Sequence, residues 1–207
     1  MASRRSTTKK WLRRQSSDPY VKQRLASGYR SRAAFKLKEI LKRDRLLHAA
    51  GSVLDLGASP GGWTQVAVEA AGVKGKVLAV DILPMESVDG SHFIEGDCRE
   101  PDTLHKIARF FDDQRIDLVI SDMAPNITGI RDVDEANFLE LANIVQEIAS
   151  RVLMPGGSML IKLFHFPGTD DFVGGLRNTY SSIARRKPDS SRRTSREFYV
   201  VAKGFKI

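Results

Sequence analysis

Residues 53–63 read Val-Leu-Asp-Leu-Gly-Ala-Ser-Pro-Gly-Gly-Trp, an apolar run that ends in an acid and opens through a glycine-rich turn onto a helical pattern. A first strand meets a first helix in this way in nucleotide-binding α/β folds. The turn is not that of a dinucleotide site. A phosphate cradle needs G-x-G-x-x-G, with bare backbone N–H groups aimed at the anion. Pro60 has no N–H to offer, and Gly57, Gly61 and Gly62 are spaced otherwise. The turn suits a nucleoside-like ligand without phosphates, close to the backbone and to Asp55.

Outward from this turn the chain alternates. The patterns predict strands at 52–56, 76–81, 91–95, 116–121, 157–164, 181–187 and 196–204. They predict helices at 62–71, 101–111, 134–153 and 170–180. Such alternation gives an α/β fold: a seven-stranded, mostly parallel sheet with helices on both faces. The last two strands have no helix between them and form a hairpin, so one strand is antiparallel. Residues 1–18 are rich in Ser, Thr, Lys and Arg and read as a basic flexible tail. Residues 19–207 read as a single domain, with a basic helical segment at 19–50 and the sheet core at 51–207.

A ligand on such a sheet lies at the carboxyl ends of the strands, and the acids gather there. Asp81 ends the second strand, where an acid commonly accepts hydrogen bonds from ribose hydroxyls. Asp97 follows the third strand and can accept from an adenine amino group. Trp63, on the first turn after Gly61-Gly62, is expected as a wall of the pocket. A pocket for a nucleoside lined by acids suits S-adenosylmethionine, a nucleoside bearing a sulfonium cation. Asp122 ends the fourth strand, before the Pro125 turn. Lys162 stands inside the apolar fifth strand, where a lysine is costly unless paired or used. Glu197 similarly interrupts the last strand.

The formal charge of +8 is unevenly spread. Residues 1–50 carry 15 Lys/Arg against 3 Asp/Glu, and residues 185–207 carry 8 against 2. Residues 51–184 carry 10 against 20. An acidic body between basic ends reads as a cation-binding pocket beside a polyanion-binding surface, with nucleic acid the expected polyanion. Arg30, Arg32, Lys36, Arg192, Arg193 and Arg196 are the leading phosphate contacts. One cysteine, Cys98, rules out an intrachain disulfide and a cysteine-cluster metal site, and fits a reducing compartment. No apolar run approaches the roughly 20 residues of a membrane helix. The expectation is a cytoplasmic monomer that uses no metal and no membrane.

Four segments together resemble the FtsJ/RrmJ (RlmE) family of S-adenosylmethionine-dependent ribose 2′-O-methyltransferases. They are Arg30-Ser31-Arg32-Ala33-Ala34-Phe35-Lys36-Leu37, Asp55 to Trp63, Ser121-Asp122-Met123-Ala124-Pro125-Asn126, and Lys187 to Arg192 with Ser195-Arg196-Glu197. The similarity runs from about Trp11 to the C-terminus. It implies a Rossmann-like methyltransferase fold and a catalytic tetrad at Lys36, Asp122, Lys162 and Glu197. It implies cofactor contacts at Gly61, Trp63, Asp81, Asp97 and Asp122. It also implies a substrate: a uridine in the A-loop region of 23S rRNA, within the large ribosomal subunit. Two departures stand out. His165-Phe166 replaces a usual Gln-Gly, and Ser59 stands where alanine is commoner.

The expected chemistry is in-line methyl transfer to a 2′-hydroxyl with Lys162 as proton acceptor. Burial and Lys36 favour the neutral amine needed for that role, while Asp122 and Glu197 favour the ammonium. Alternative readings are a relative acting on tRNA, an mRNA cap or another rRNA site, a non-catalytic RNA-binding module, and a nicotinamide oxidoreductase. The last is disfavoured by the missing G-x-G-x-x-G.

Overall fold

A computed structural model describes residues 26–192 and 194–206. The expected tail at 1–18, the start of the basic helical segment and Arg193 lie outside them. Helix α1 (Ala33–Asp44) leads into strand β1 (Ser52–Leu56), α2 (Gly62–Ala71), β2 (Lys76–Asp81) and β3 (His92–Glu95). Then come α3 (Pro101–Phe110), β4 (Ile116–Ser121), α4 (Arg131–Val152) and β5 (Leu153–Phe164). Helix α5 (Pro167–Gly175) and a 3₁₀ turn at Leu176–Asn178 precede β6 (Tyr180–Arg186) and β7 (Glu197–Phe205).

The seven strands form one sheet in the order β3-β2-β1-β4-β5-β7-β6. Pairs from β3 through β5 are parallel, and β7 runs antiparallel to both β5 and β6. The chain reverses direction across the sheet between β3 and β4, so the carboxyl ends of β1 and β4 flank the switch point where ligands bind in such folds.

The strands match expectation within a residue, except that β5 begins four residues early. Helix α4 runs straight into it at Leu153, and the extra residues pair where Leu153 meets Ile116. Helix α5 starts at Pro167 rather than 170. Proline is favoured in a first turn because its missing N–H would have no partner there anyway. The helix stops at Gly174-Gly175, poor helix formers, where a 3₁₀ turn takes over.

Period-two alternation along the strands decides what each helix covers. Leu54, Leu78, Val119, Ile161, Phe198 and Val200 face one core, with Ile107 of α3, Ile148 of α4 and Val173 of α5. Val53, Val77, Ile120, Leu160, Tyr199 and Val201 face the other, with Ile40 of α1 and Val66 of α2. Asp55, Lys162 and Glu197 have the parity of this second face, two residues from Val53, Leu160 and Tyr199. Helix α1 lies on that face with Phe35, Leu37, Ile40 and Leu41 buried, and Lys36 is buried among them. Full burial of a side chain such as Leu37 contributes about 1.5–3 kcal/mol. The end of α1 is fastened to the final hairpin: Arg186 Nη2 reaches Asp44 Oδ1 at 2.6 Å, and Lys203 Nζ donates to the Asp44 carbonyl at 2.9 Å. No helix among the described residues is long and apolar enough to cross a membrane.

Candidate active site

Two cavities open at the carboxyl edge of the parallel strands, and four charged side chains stand between them. The larger, about 520 Å³, lies over the ends of β1, β2 and β4. Its floor is a close approach of two turns. Gly57 has φ of +75°, and a Cβ there would lie 2.2 Å from Met123 Cγ, so only glycine lets the turns meet. Asp81 points in from β2. Its Oδ2 accepts from the Ser59 N–H and its Oδ1 from the Leu83 N–H, both at 2.8 Å. Ile82 and Leu83 beside it also line the cleft and are exposed apolar side chains.

Asp97 lines the same cleft, but its carboxylate is already engaged. Arg99 Nε lies 3.0 Å from both oxygens, and Nη2 donates to Oδ2 at 2.5 Å. Those hydrogen bonds hold the Asp97 carboxyl below its ordinary range. Cys98 lines the cleft too, and burial pushes its thiol up to about 11, so it stays neutral. Beneath the turn, Asp55 is wholly inside, at 0% exposure. Its Oδ2 accepts from Thr64 Oγ1 at 2.7 Å, and its Oδ1 has no hydrogen-bond partner among the described residues.

Lys162 Nζ donates to the Asp122 carbonyl at 2.5 Å and lies 3.1 Å from Asp122 Oδ1. Lys36 Nζ is ion-paired with Glu197 Oε1. These pairs are neighbours because α1 packs on the face to which the strand pleat aims Lys162 and Glu197. Burial acts to raise the Glu197 carboxyl, but Lys36 by hydrogen bond and charge, with Lys162 and Lys187, outweighs it and holds it low. Asp122 lines the larger cleft, whereas Lys36 and Glu197 line a second cavity of about 360 Å³ with Arg32, Arg192, Thr194 and Ser195.

Tyr199 joins the two pairs, and the sequence reading missed it. It is fully buried, its hydroxyl donates to Asp122 Oδ1 at 3.3 Å, and Lys36 Nζ sits 5.6 Å from its ring centre. Burial first, then Asp122 and Glu197, hold its phenol well above the ordinary value, so it stays a donor. The signal was present: Tyr199 is two residues from Glu197 on one strand.

Other expected contacts are placed elsewhere. Trp63 is 3% exposed in the core, with Nε1 donating to the Ala33 carbonyl at 2.9 Å and its ring 5.8 Å from Tyr199. It does not line the cleft, because α1 covers it. Gly61 shapes the turn with φ of +101° and its N–H on the Ala58 carbonyl at 2.7 Å. Arg30 spends its guanidinium on the carbonyls of Glu86 at 2.6 Å, Ser87 at 2.5 Å and Pro60 at 3.3 Å, bracing the turn. Arg196 is exposed. His165 stacks on Phe198, ring centres 4.4 Å apart, and Phe166 packs 5.5 Å from Phe138.

Residues 29–205 match the family described as FtsJ-like methyltransferase. A Marinobacter nauticus protein named ribosomal RNA large subunit methyltransferase E is 46% identical over 205 residues, covering 99% of each chain. Its namesake from Alkalilimnicola ehrlichii is 47% identical over 202 residues, covering 98% of this chain and 97% of its own. Among solved structures, a putative ribosomal RNA methyltransferase from Plasmodium falciparum superposes with a TM-score of 0.77 at 28% identity. It covers 86% of this chain and 98% of its own.

Proposed function

The chain belongs to the FtsJ-like methyltransferase family, and from that premise we propose that it methylates the ribose 2′-hydroxyl of a uridine in the A-loop region of 23S rRNA. The methyl donor in this reading is S-adenosylmethionine. The observation that carries the reading is the pair of cavities joined by two ion pairs, Lys162–Asp122 on the donor side and Lys36–Glu197 on the acceptor side. The relatives' names supply the large-subunit rRNA.

The larger cleft suits this donor. Its lining carries Asp81, Asp97 and Asp122 against one cation, Arg99, which is already paired with Asp97. That balance favours a cationic ligand over a polyphosphate. Asp81 is fixed by two backbone N–H groups and keeps lone pairs for a ribose diol, with Ile82 and Leu83 as apolar neighbours for a nucleoside. When bound, adenosylmethionine supplies a sulfonium methyl as the electrophile.

The chain's own residues then position a hydroxyl and receive its proton. Lys162 Nζ is held by its hydrogen bond to the Asp122 carbonyl and its ion pair with Asp122 Oδ1. It acts as proton acceptor in the form that has released a proton from this pair, and the lone pair of that form then faces the 2′-hydroxyl. Asp122 thus fixes the direction of that lone pair, and Tyr199 fixes Asp122. Lys36 and Glu197 hold the ribose oxygens from the other cavity. As the ribose 2′-oxygen takes up the methyl group that the donor would supply, the hydroxyl proton would pass to Lys162 Nζ. In-line placement of the two reactants supplies much of the acceleration.

The test is to incubate the protein with tritiated adenosylmethionine and undermethylated large-subunit particles, then map the label. Label on one uridine ribose is the expected result. Label on a base, on another RNA class, or none at all sinks the assignment.

A further inference from the structure

We propose that the smaller cavity is a seat for a backbone phosphate adjoining the target ribose, and not for a base. The inference rests on the RNA ribose methyltransferase reading and names what the acceptor side grips. Among the described residues, its lining is Arg32, Lys36, Arg192, Thr194, Ser195 and Glu197. None is aromatic and none is aliphatic. A single-stranded base is usually bound by stacking on an aromatic or apolar face, and none of these described side chains offers one. Three cations and two hydroxyls instead form a donor set for anionic oxygen. Lys36 and Glu197 cancel as an ion pair, so the surplus positive charge of the lining is that of Arg32 and Arg192.

The seat is built rather than gathered by chance. The 187–196 loop that supplies half of it is tied down from several sides. Arg32 Nη2 donates to the Ser190 carbonyl at 2.7 Å, and the Asp189 N–H donates to Glu39 Oε2 at 3.0 Å. Lys187 Nζ reaches the Ser195 carbonyl at 2.7 Å and also the Glu197 carbonyl. Two turns within the loop close through Ser191 N to Pro188 O and Ser195 N to Arg192 O, both at 2.9 Å. In the same turn, Ser190 and Ser191 bury hydroxyl oxygens that have no hydrogen-bond partner among the described residues. This segment therefore carries more polar capacity than the fold itself uses.

Location identifies which phosphate. Lys36 and Glu197 belong both to this cavity and to the tetrad, so a group held here is a direct neighbour of the reacting sugar. A phosphodiester is covalently attached to that sugar and is the same whatever the base. The seat then fixes the ribose in register without reading sequence, and the choice of nucleotide falls to other contacts.

The experiment uses the full chain and undermethylated large-subunit particles, with binding read by co-sedimentation across a salt series. Methyl transfer is measured in parallel. Arg192→Gln and Thr194→Val are the variants, both at exposed positions, and the circular dichroism spectrum of each is checked against the wild type. Arg192→Gln should weaken association about 5- to 150-fold, and the slope of log affinity against log salt should fall by about one. Thr194→Val should weaken association less and leave the slope as it was, since it removes a hydroxyl and no charge. An Arg192→Gln slope equal to that of the wild type overturns the seat. So does a change in which nucleotide is labelled, which would mean that the cavity reads a base. No association of the wild type even at low salt also overturns it. Wild-type binding with the variant slopes as expected, but with no methyl transfer, would count against the activity and leave the seat standing.

Discussion

Replacing Asp55 with asparagine should make stability less sensitive to pH in a way that isolates one buried charge. Asp55 lies wholly inside under the glycine turn, and its carboxyl is pushed up to about 7. Burial is the main cause; Thr64 opposes it, and the charges of Asp122 and Asp81 add to it. For an acid raised in the folded state, the unfolded chain releases the proton first. Stability is therefore highest below the unfolded value of 3.8, and falls as pH rises until the folded group ionises near about 7. Integrating between pH 5 and pH 8, the wild type loses about 2–3 kcal/mol through this group alone. The Asp55→Asn variant would lose none of it. The new amide would keep an acceptor for Thr64 and leave N–H groups without a partner, a cost of about 1–3 kcal/mol at every pH. The assay is urea unfolding of both proteins at pH 5 and pH 8. The stability difference between variant and wild type should move in the variant's favour by about 2–3 kcal/mol, because all other titrating groups cancel. A difference that stays within about 0.5 kcal/mol across that interval, the usual reproducibility of such comparisons, would refute the buried, raised carboxyl.

Lys162→Ala should reduce single-turnover methyl transfer by at least about 100-fold, the low end for losing a general base, while adenosylmethionine affinity by calorimetry stays near wild type. Retained turnover or lost cofactor affinity would remove Lys162 from its role. Asp81→Ala should raise the cofactor Kd about 10- to 100-fold, since two backbone N–H groups and the ligand's hydroxyls lose an acceptor; an unchanged Kd would take Asp81 out of the site. Gly57→Ala puts a methyl 2.2 Å from Met123 Cγ at a φ of +75°, and should cost about 2–4 kcal/mol in urea unfolding. Adding Met123→Ala should recover part of that loss, and wild-type stability of the single variant would show that the two turns do not meet.

That Asp81 and Asp122 line one cleft was readable because each acid closes its own strand: Asp81 after Val77–Val80, Asp122 after Val119–Ser121. A local pattern was enough there. Arg30 and Trp63 show where local patterns stop. Arg30 read as a cation for RNA, but its guanidinium is taken by carbonyls 56 and 57 residues away. Trp63 read as a pocket wall, but whether an aromatic on that first turn meets ligand or core depends on where α1 docks, and α1 covers it. Tyr199 was the opposite case. Its parity with Glu197 was in the sequence, and only its hydrogen bond to Asp122, reached across the intervening strand β5, shows what the parity is for.

Strand β7 has a consequence beyond completing the sheet. It runs against its neighbours, so it brings a strand's beginning to an edge where every other contributor arrives as a strand's end. The segment just before it, 187–196, is the tip of the closing hairpin, and its far end is anchored by β6 rather than by any strand under the donor cleft. Its length and charge can therefore change without shifting the register of β1, β2 or β4. The fold therefore rests its two cavities on separate supports: the hairpin tip on β6, β7 and α1, and the acidic cleft on β1, β2 and β4, so a change in one need not disturb the other.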